Sequence, residues 1–182
     1  MSDEAWVSDS APYVAPREEG QTDAWTDQAA SHGRRGGQKT LSVETLQPTA
    51  ALQSALRLAA GADIIVRRRL ILLDESPVEL ADSYYPASIA AGTPLAELRK
   101  IPGGAVSLLA DMGYIGAAVL EDVSTRIATL QESEALSLEP GSPVLSLMRI
   151  TQTADGIPFE ASVMTMPPHR HLNYRLLRKQ DN

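Results

Sequence analysis

Three consecutive arginines, Arg67, Arg68 and Arg69, are the residues of this sequence best suited to binding an anion. Their apolar and β-branched neighbours predict a strand, and side chains alternate along a strand, so Arg67 and Arg69 share one face while Arg68 points to the other. A planar guanidinium matches a carboxylate or a phosphate with two parallel hydrogen bonds. We therefore predict Arg67 and Arg69 as ligand contacts. The alternative is a solvated edge strand with repelling charges.

Arg149 and Glu160 form a second candidate pair, on either side of the turn signal Asp155-Gly156. If this turn has two residues, Glu160 lies opposite Thr151 and diagonal to Arg149 on the same face of the sheet. An exposed diagonal ion pair contributes only roughly a few tenths of a kcal/mol. We interpret Arg149 and Glu160 as a structural pair. The alternative is that both contact a ligand.

Metal and cofactor chemistry have little support in the sequence. It contains no cysteine and three histidines, His32, His169 and His171. The last two would share a strand face, but no carboxylate close in sequence completes a metal set, so surface or ligand hydrogen bonding is their interpretation. No glycine-rich phosphate loop or nucleophile elbow occurs. We predict no metal and no cofactor.

Charge and composition exclude several classes of protein. The chain has 182 residues, which suits one domain, and a formal net charge of −7. This charge opposes the positive field that sequence-independent binding of nucleic acid needs. Neither a signal sequence at the N-terminus nor an apolar run of membrane length is present. We therefore predict a cytoplasmic protein that does not enter a membrane and does not bind DNA directly.

An internal repeat indicates how the candidate residues are positioned. Residues 55–69 recur in outline at residues 135–149, and the match continues to Glu79 and Glu160. Each copy is interpreted as a helix, a glycine that ends it, and a hairpin of two strands. The predicted elements are a first helix ended by Gly61, strands 64–73 and 78–85, a second helix over 127–138 ended by Gly141, and strands 144–153 and 157–166.

The segments outside the two copies complete the predicted domain. Residues 1–40 have no sustained hydrophobic period and are predicted to be a flexible or disordered arm. Further strands are expected at 41–46, 114–122 and 172–176, the last of which completes the sheet. A ligand-binding domain is thus predicted over residues 41–178, followed by a tail at 179–182. These elements indicate an α+β fold built on an antiparallel sheet.

Six short motifs follow one another along the chain, in addition to the repeat. They are Ser83-Tyr84-Tyr85-Pro86, Gly92-Thr93-Pro94-Leu95, Arg126-Ile127-Ala128-Thr129, Glu134-Ala135-Leu136, Pro143-Val144-Leu145-Ser146-Leu147-Met148-Arg149 and Gly156-Ile157-Pro158-Phe159-Glu160. Together they resemble the UTRA domain, the effector-binding half of HutC-type GntR transcription regulators, which shares its fold with chorismate lyase. The resemblance runs from about Leu41 to Leu177.

The resemblance implies a sheet of about six antiparallel strands flanked by helices, a small-molecule site between sheet and helices, and dimerisation through the domain. Arg69 matches the anion-binding arginine of the family, and Glu160 and Tyr174 match pocket positions at the far end of the sheet. Tyr84, in the first motif, is a further candidate contact. The candidate ligand-binding residues are therefore Arg67, Arg69, Tyr84, Arg149, Glu160 and Tyr174.

Two departures from the family pattern bear on function. The arm has neither the length nor the hydrophobic periodicity of a winged helix-turn-helix, so a stand-alone domain without its own DNA-binding part is expected. Ile71 and Ala81 stand where sugar-phosphate-sensing members carry an arginine and a glutamate. The effector is therefore expected not to be an amino-sugar phosphate.

Three functions fit these observations. The first is sensing of a small anionic or polar metabolite in transcriptional control, through a homodimer or a GntR-type regulator as partner. The second is an enzyme of lyase or isomerase type, in which Arg69 holds a substrate carboxylate and Glu160 acts as general acid or base. The third is a module that titrates full-length regulators by forming heterodimers with them.

Overall fold

Strands and helices alternate along the chain in two similar series. The computed structural model describes residues 7–9, 13–17 and 21–174. The strands of this part of the chain are β1 (Val7–Asp9), β2 (Gly36–Leu46), β3 (Ile64–Leu73), β4 (Ser76–Pro86), β5 (Ala118–Ile127), β6 (Pro143–Gln152), β7 (Pro158–Met166) and β8 (His171–Asn173). The α-helices are α1 (Ala24–Ser31), α2 (Ala50–Ala55), α3 (Ala87–Ala90), α4 (Gly104–Asp111) and α5 (Leu130–Leu136), and a short 3₁₀ helix spans Pro94–Ala96.

Six of the strands form one antiparallel sheet in the order β2-β3-β4-β7-β6-β5. Its two central strands, β4 and β7, each belong to a different hairpin, and Ser83 pairs with Ser162 where they meet. The outer strands β2 and β5 each pair with the first strand of a hairpin. The predicted α+β fold with about six antiparallel strands is confirmed.

The internal repeat is longer than the sequence comparison indicated, because each copy begins with an outer strand. The series β2-α2-β3-β4 is followed by β5-α5-β6-β7. Thr49 and Thr129 cap the two helices at equivalent places, and each hydroxyl accepts a hydrogen bond from the backbone amide three residues on. Such caps satisfy amide groups that the first helical turn leaves without a partner.

The two repeat helices are shorter than predicted. Helix α5 spans seven residues, Leu130–Leu136, because β5 continues to Ile127 and Ser137 already adopts a left-handed conformation with φ 55°. In the first copy Arg57 has the equivalent φ of 50°. Gly61 and Gly141, which we expected to end the helices, have φ of 77° and 83° in the turns that lead into β3 and β6. Both glycines reverse the chain in a left-handed conformation, which glycine adopts at little cost.

The two faces of the sheet are covered by different helices. On one face, called the back, α2 and α5 pack through two apolar clusters, formed by Leu52, Leu56, Ile64 and Ala161 and by Ala128, Leu136 and Val144. The other face, called the front, is covered by α1 and by the segment from α3 to α4. Its clusters contain Trp25, Ala29, Ile71, Leu73 and Ala81, and Ile65, Tyr85, Ala90, Leu95, Ile101, Leu109 and Phe159.

Part of the predicted flexible arm belongs to the fold. Helix α1 places Trp25 against the sheet, where the indole Nε1 donates a 2.9 Å hydrogen bond to the Leu72 carbonyl, and β2 already begins at Gly36. Only Trp25 and Ala29 of α1 are buried. So few apolar residues give no visible period, and a helix this short depends on packing for its stability. The folded region therefore begins before the boundary predicted at Leu41.

The C-terminal strand lies outside the main sheet. Strand β8 pairs in parallel with β1, from Val7 with His171 to Asp9 with Asn173, and the two form a separate two-stranded sheet. The expectation that a strand over 172–176 completes the main sheet is wrong, because the ten-residue β5 occupies that edge. Residues 175–182, including the predicted tail at 179–182, lie outside the described residues. Among the described helices, none is long and apolar enough to cross a membrane.

Candidate functional site

A cavity of about 190 Å³ lies between the front of the sheet and the segments that cover it. Strands β3, β4, β6 and β7 contribute its floor. Residues 13–17, helix α1, the segment from Lys100 to Leu109 and Arg170 contribute its walls. Among the residues that the structure describes, no group of three or more acidic or histidine side chains could hold a metal ion.

Arg67 lines the cavity and supports its wall. The side chain is 3% exposed, and Nη1 donates to the carbonyls of Leu95 and Glu97 while Nη2 donates to that of Arg99 at 3.0 Å. Burial lowers the pKa of Arg67. Because several carbonyls of one loop converge on this guanidinium, Arg67 fixes the loop between α3 and α4. Its predicted ligand contact thus competes with a structural role.

Arg69 is the arginine that the fold leaves available. Its Nη2 donates a 2.8 Å hydrogen bond to Ser83 Oγ, whereas its Nε is buried without a hydrogen-bond partner among the described residues. Leaving a buried donor unpaired typically costs about 1–3 kcal/mol, more for a charged group. The side chain faces the cavity. An acidic group of a ligand could bind the accessible part of this half-buried guanidinium.

Four side chains continue from Arg69 as one chain of hydrogen bonds across β4 and β7. Ser83 Oγ lies 3.0 Å from Ser162 Oγ, Ser162 donates to Glu160 Oε1 at 3.1 Å, and Tyr85 donates to the same oxygen at 2.9 Å. A guanidinium only donates and an ionised carboxylate only accepts. Ser83 must therefore donate to Ser162, so every hydroxyl of the chain is oriented towards Glu160.

Arg149 is paired with a residue that the sequence analysis did not consider. Its Nε lies 2.6 Å from Glu121 Oε1 of β5, and the two side chains are 11% and 9% exposed. Glu160 lies opposite Thr151, as predicted, yet it binds Tyr85 and Ser162. The predicted pair of Arg149 with Glu160 is therefore wrong, since Glu121 is opposite Arg149 in the register of β5 and β6.

Tyr174 lies beside this ion pair and outside the cavity lining. Its side chain is 49% exposed, and its hydroxyl forms a hydrogen bond with Glu121. Burial of the hydroxyl and the neighbouring Glu121 carboxylate raise the pKa of Tyr174 to about 12. The structure thus connects Tyr174 to the site through Glu121 and Arg149.

Tyr84 is on the back of the sheet, and its neighbour Tyr85 is in the cavity. Tyr84 packs against the cluster under α2, and its hydroxyl lies 3.3 Å from Asp82. Tyr85 is fully buried on the front and lines the cavity, and burial raises its pKa. Strand alternation separates the two rings. The cavity residue is therefore Tyr85, and the prediction of Tyr84 is wrong. The strand register would have indicated this, because Arg67 pairs with Ser83 and Tyr85 lies on the same face as Ser83.

Glu79 is a cavity residue that the sequence analysis passed over, although the repeat aligned it with Glu160. It lies opposite Ile71 in β3, just as Glu160 lies opposite Thr151 in β6. Burial raises the pKa of Glu79, while the charges of Arg170, Arg69 and Arg149 act in the opposite direction. The equivalent arginines Arg69 and Arg149 and the equivalent glutamates of the two copies therefore all line the same cavity.

The fold and the charged cavity define an effector-binding type of α+β domain, and comparison with known proteins identifies its family. The family model of the UTRA domain matches residues 31–171. The chain therefore belongs to the UTRA domain family, as the motifs and the repeat indicated.

Relatives of known sequence or structure include transcription regulators. SCO4628, an uncharacterized HTH-type transcriptional regulator of Streptomyces coelicolor, is 31% identical over 138 residues, which cover 74% of this chain and 51% of that protein. The chain thus spans about half the length of this relative. The crystal structure of PhnF from Mycobacterium smegmatis has a TM-score of 0.77 at 17% identity, over 91% of this chain and 73% of PhnF.

Two further solved structures have the same fold. The effector domain of PhnF matches with a TM-score of 0.72 at 17% identity, over 91% of this chain and 99% of that domain. A GntR-family regulator from Enterococcus faecalis has a TM-score of 0.67 at 19% identity, over 78% of this chain and 100% of that one. Family and relatives support a ligand-sensing regulatory domain and give no support to the enzyme alternative.

Proposed function

We propose that this chain binds a small polar or anionic metabolite in the cavity on the front of the sheet, and that binding controls a GntR-type transcription regulator in the cytoplasm. The charged side chains that line this cavity come from both copies of the repeat. A ligand that contacts both copies can change how the two hairpins sit against each other. Such differential contact is what an effector needs in order to shift a conformational equilibrium.

One observation carries this proposal: Arg69 lines the cavity with a guanidinium that binds Ser83 and has no carboxylate partner among the described residues. A charged donor of this kind is costly in a closed protein core and useful in a binding site, since a ligand oxygen can complete its hydrogen bonds. Arg67 and Arg149, the other predicted anchors, already bind the loop carbonyls and Glu121. The acidic or polar end of the effector is therefore assigned to Arg69.

A homodimer is part of the proposal, and strand β5 supports it. This edge strand exposes apolar side chains on both of its faces, among them Leu120 at 54% and Val123 at 45%. An exposed apolar edge offers unpaired backbone groups to a second strand. We expect the wild-type chain to sediment as a dimer and Leu120→Lys to sediment as a monomer. Leu98→Lys, at a similarly exposed leucine elsewhere, should remain dimeric. A monomeric wild-type chain would contradict this part of the proposal.

Effector binding is tested by thermal-shift screening of the chain against organic acids, amino acids, amines and phosphorylated metabolites. A ligand that binds only the folded state raises the melting temperature in proportion to its affinity and concentration. Trp25 lines the cavity and is one of two tryptophans, so Trp6→Phe leaves it as a single fluorescent reporter. We expect a hit to change both the melting temperature and the Trp25 emission. A chain that binds none of these compounds would reject the proposed function.

A further inference from the structure

The cavity contains carboxylates as well as guanidiniums, and this composition bears on the effector. Glu79 and Glu160 face it from the two central strands, and Arg69 faces it from β3. A ligand with only negative charge would meet two carboxylates as well as Arg69 and Arg170. At the low effective dielectric of a partly closed site, such like-charge contacts weaken binding substantially.

Most cations around the cavity are already matched by other groups. Arg149 pairs with Glu121, Lys100 pairs with Asp23, and the Arg67 guanidinium is held by loop carbonyls. These groups add little net attraction for a ligand anion. The attraction that remains comes from the Arg69 guanidinium, which binds Ser83, and from Arg170, whose charge is the strongest of those acting on Glu79.

Glu79 is an acidic residue of the cavity that, like Arg69, has no direct ion-pair partner among the described residues. It is half-buried in the cavity wall and forms neither a hydrogen bond nor an ion pair with any residue that the structure describes. Its carboxylate oxygens therefore accept no hydrogen bond from those residues, although the charges of Arg170, Arg69 and Arg149 act on them. Glu160 is different, since Oε1 already accepts from Tyr85 and Ser162.

Arg69 and Glu79 lie on adjacent strands in diagonal register, because Arg69 pairs with Ala81 and Glu79 pairs with Ile71. Diagonal neighbours in an antiparallel pair are about 7–8 Å apart, which long side chains can span or leave open. Among the described residues they form no direct ion pair with each other, although the charge of Arg69 acts on Glu79. The cavity thus presents, at neighbouring positions, a guanidinium without a direct carboxylate partner and a carboxylate without a hydrogen bond from the described residues.

We propose that the effector is a small zwitterion whose carboxylate or phosphate group binds Arg69 and whose ammonium group binds Glu79. This inference rests on the proposed function, because it names the ligand class of the same cavity. A charge-assisted hydrogen bond to each group satisfies both side chains at once. A singly charged ligand satisfies one of them and leaves the other desolvated.

The test is a calorimetric titration of the wild-type chain with matched ligand series. The zwitterions are the common α-amino acids, 4-aminobutanoate, O-phosphoserine and O-phosphoethanolamine. Each is compared with its N-acetyl derivative, which keeps the acid, and the amino acids are also compared with their amides, which keep the amine. We expect at least one zwitterion to bind and each charge deletion to weaken it by about tenfold or more. The phosphorylated and carboxylic members distinguish the two acidic groups.

The variant Glu79→Gln adds a double-mutant cycle between protein and ligand. It should weaken the zwitterion about tenfold and should not weaken the N-acetyl derivative, which lacks the group that Glu79 binds and is relieved of the repulsion by the Glu79 charge. Glu75→Gln, at an exposed glutamate in the turn of the same hairpin, should change neither. If a variant does not fold, the titrations of the wild-type chain with the matched ligands still test whether the effector is a zwitterion.

The outcomes separate this inference from the proposed function. If N-acetyl derivatives or simple anions bind as tightly as the zwitterions, sensing stands and the zwitterion is rejected. If simple amines bind as well as the zwitterions, Arg69 has no part in recognition and the inference is again rejected. If no compound of any class binds, both the inference and the proposed function fail.

Discussion

Arg69 and Arg149 occupy equivalent positions in the two copies of the repeat, yet only Arg149 has a carboxylate partner. Arg149 forms its ion pair with Glu121, the residue opposite it in β5, at 2.6 Å. The residue opposite Arg69 in β2 is Thr40, and the Arg69 guanidinium binds Ser83 instead. One difference between the two outer strands therefore leaves one guanidinium open to the cavity.

Introducing the missing carboxylate should close the effector site. In Thr40→Glu, the new side chain stands opposite Arg69 as Glu121 stands opposite Arg149. We expect effector affinity measured by calorimetry to fall by about tenfold or more while the melting temperature is maintained, because a paired guanidinium must give up its partner to bind a ligand. Thr40→Gln has the same size without the charge and should bind the effector more tightly than Thr40→Glu. Equal affinities of the two variants would contradict the assignment of Arg69.

Glu79 should destabilise the ligand-free protein at neutral pH. Burial raises its pKa above the ordinary 4.5, so its ionisation is easier in the unfolded chain than in the folded one. As pH rises above 4.5, the wild-type chain therefore loses stability relative to Glu79→Gln, until the folded-state pKa is passed and the difference becomes constant. Thermal unfolding of both proteins across this range measures the effect. A Glu79→Gln variant less stable than wild type at neutral pH would refute the prediction.

Gly36 should be essential for docking of α1. A Cβ at this position would lie 2.9 Å from the Trp25 carbonyl oxygen and 3.0 Å from the Ala29 Cβ, whereas at Gly37 the nearest atom is 3.7 Å away. Gly36→Ala is expected to lower the free energy of unfolding by about 1–3 kcal/mol through overpacking. Gly37→Ala is the matched control, with an expected change below about 1 kcal/mol. Chemical denaturation measures both, and equal stabilities would show that α1 does not pack closely on β2.

The capping box of α5 should stabilise the fold until the solution is strongly acidic. The hydrogen bond from Arg126, followed by that from the Thr129 amide, holds the pKa of Glu132 at about 2, below the ordinary 4.5. The contribution is present above 4.5 and is lost as pH falls towards 2, because only the ionised carboxylate makes these bonds. Glu132→Gln should cost about 1 kcal/mol or less at neutral pH and nothing at the acidic limit. A difference that does not shrink on acidification, or an equal loss in the exposed Glu134→Gln, would contradict this account.

Sequence patterns predicted those parts of the structure that depend on neighbouring residues. The alternation of side chains placed Arg67 and Arg69 on one face, and the Asp155-Gly156 turn signal gave the register of Glu160 opposite Thr151. The repeat and the motifs indicated the sheet and the family. In each case, the information lies within one hairpin or recurs in its copy.

Partners from distant segments could not be predicted in this way. The loop that binds Arg67 and the strand that carries Glu121 are separated from their arginines by about 30 residues, and nothing local specifies either contact. Helix α1 was missed because two buried residues are too few to form a pattern. Glu79 could have been predicted, since its alignment with Glu160 is visible in the sequence. Only the strand register was needed to place its side chain in the cavity.

The most direct test of the central claim, that the cavity at Arg69 is the effector site, is calorimetric titration of a screened effector into wild type, Arg69→Gln and Arg35→Gln. Arg35 is exposed and lies outside the cavity lining, so it controls for the loss of one positive charge. We predict that Arg35→Gln binds as wild type does and that Arg69→Gln binds at least about tenfold more weakly, with its fold verified by circular dichroism. A folded Arg69→Gln variant with wild-type affinity would contradict the claim.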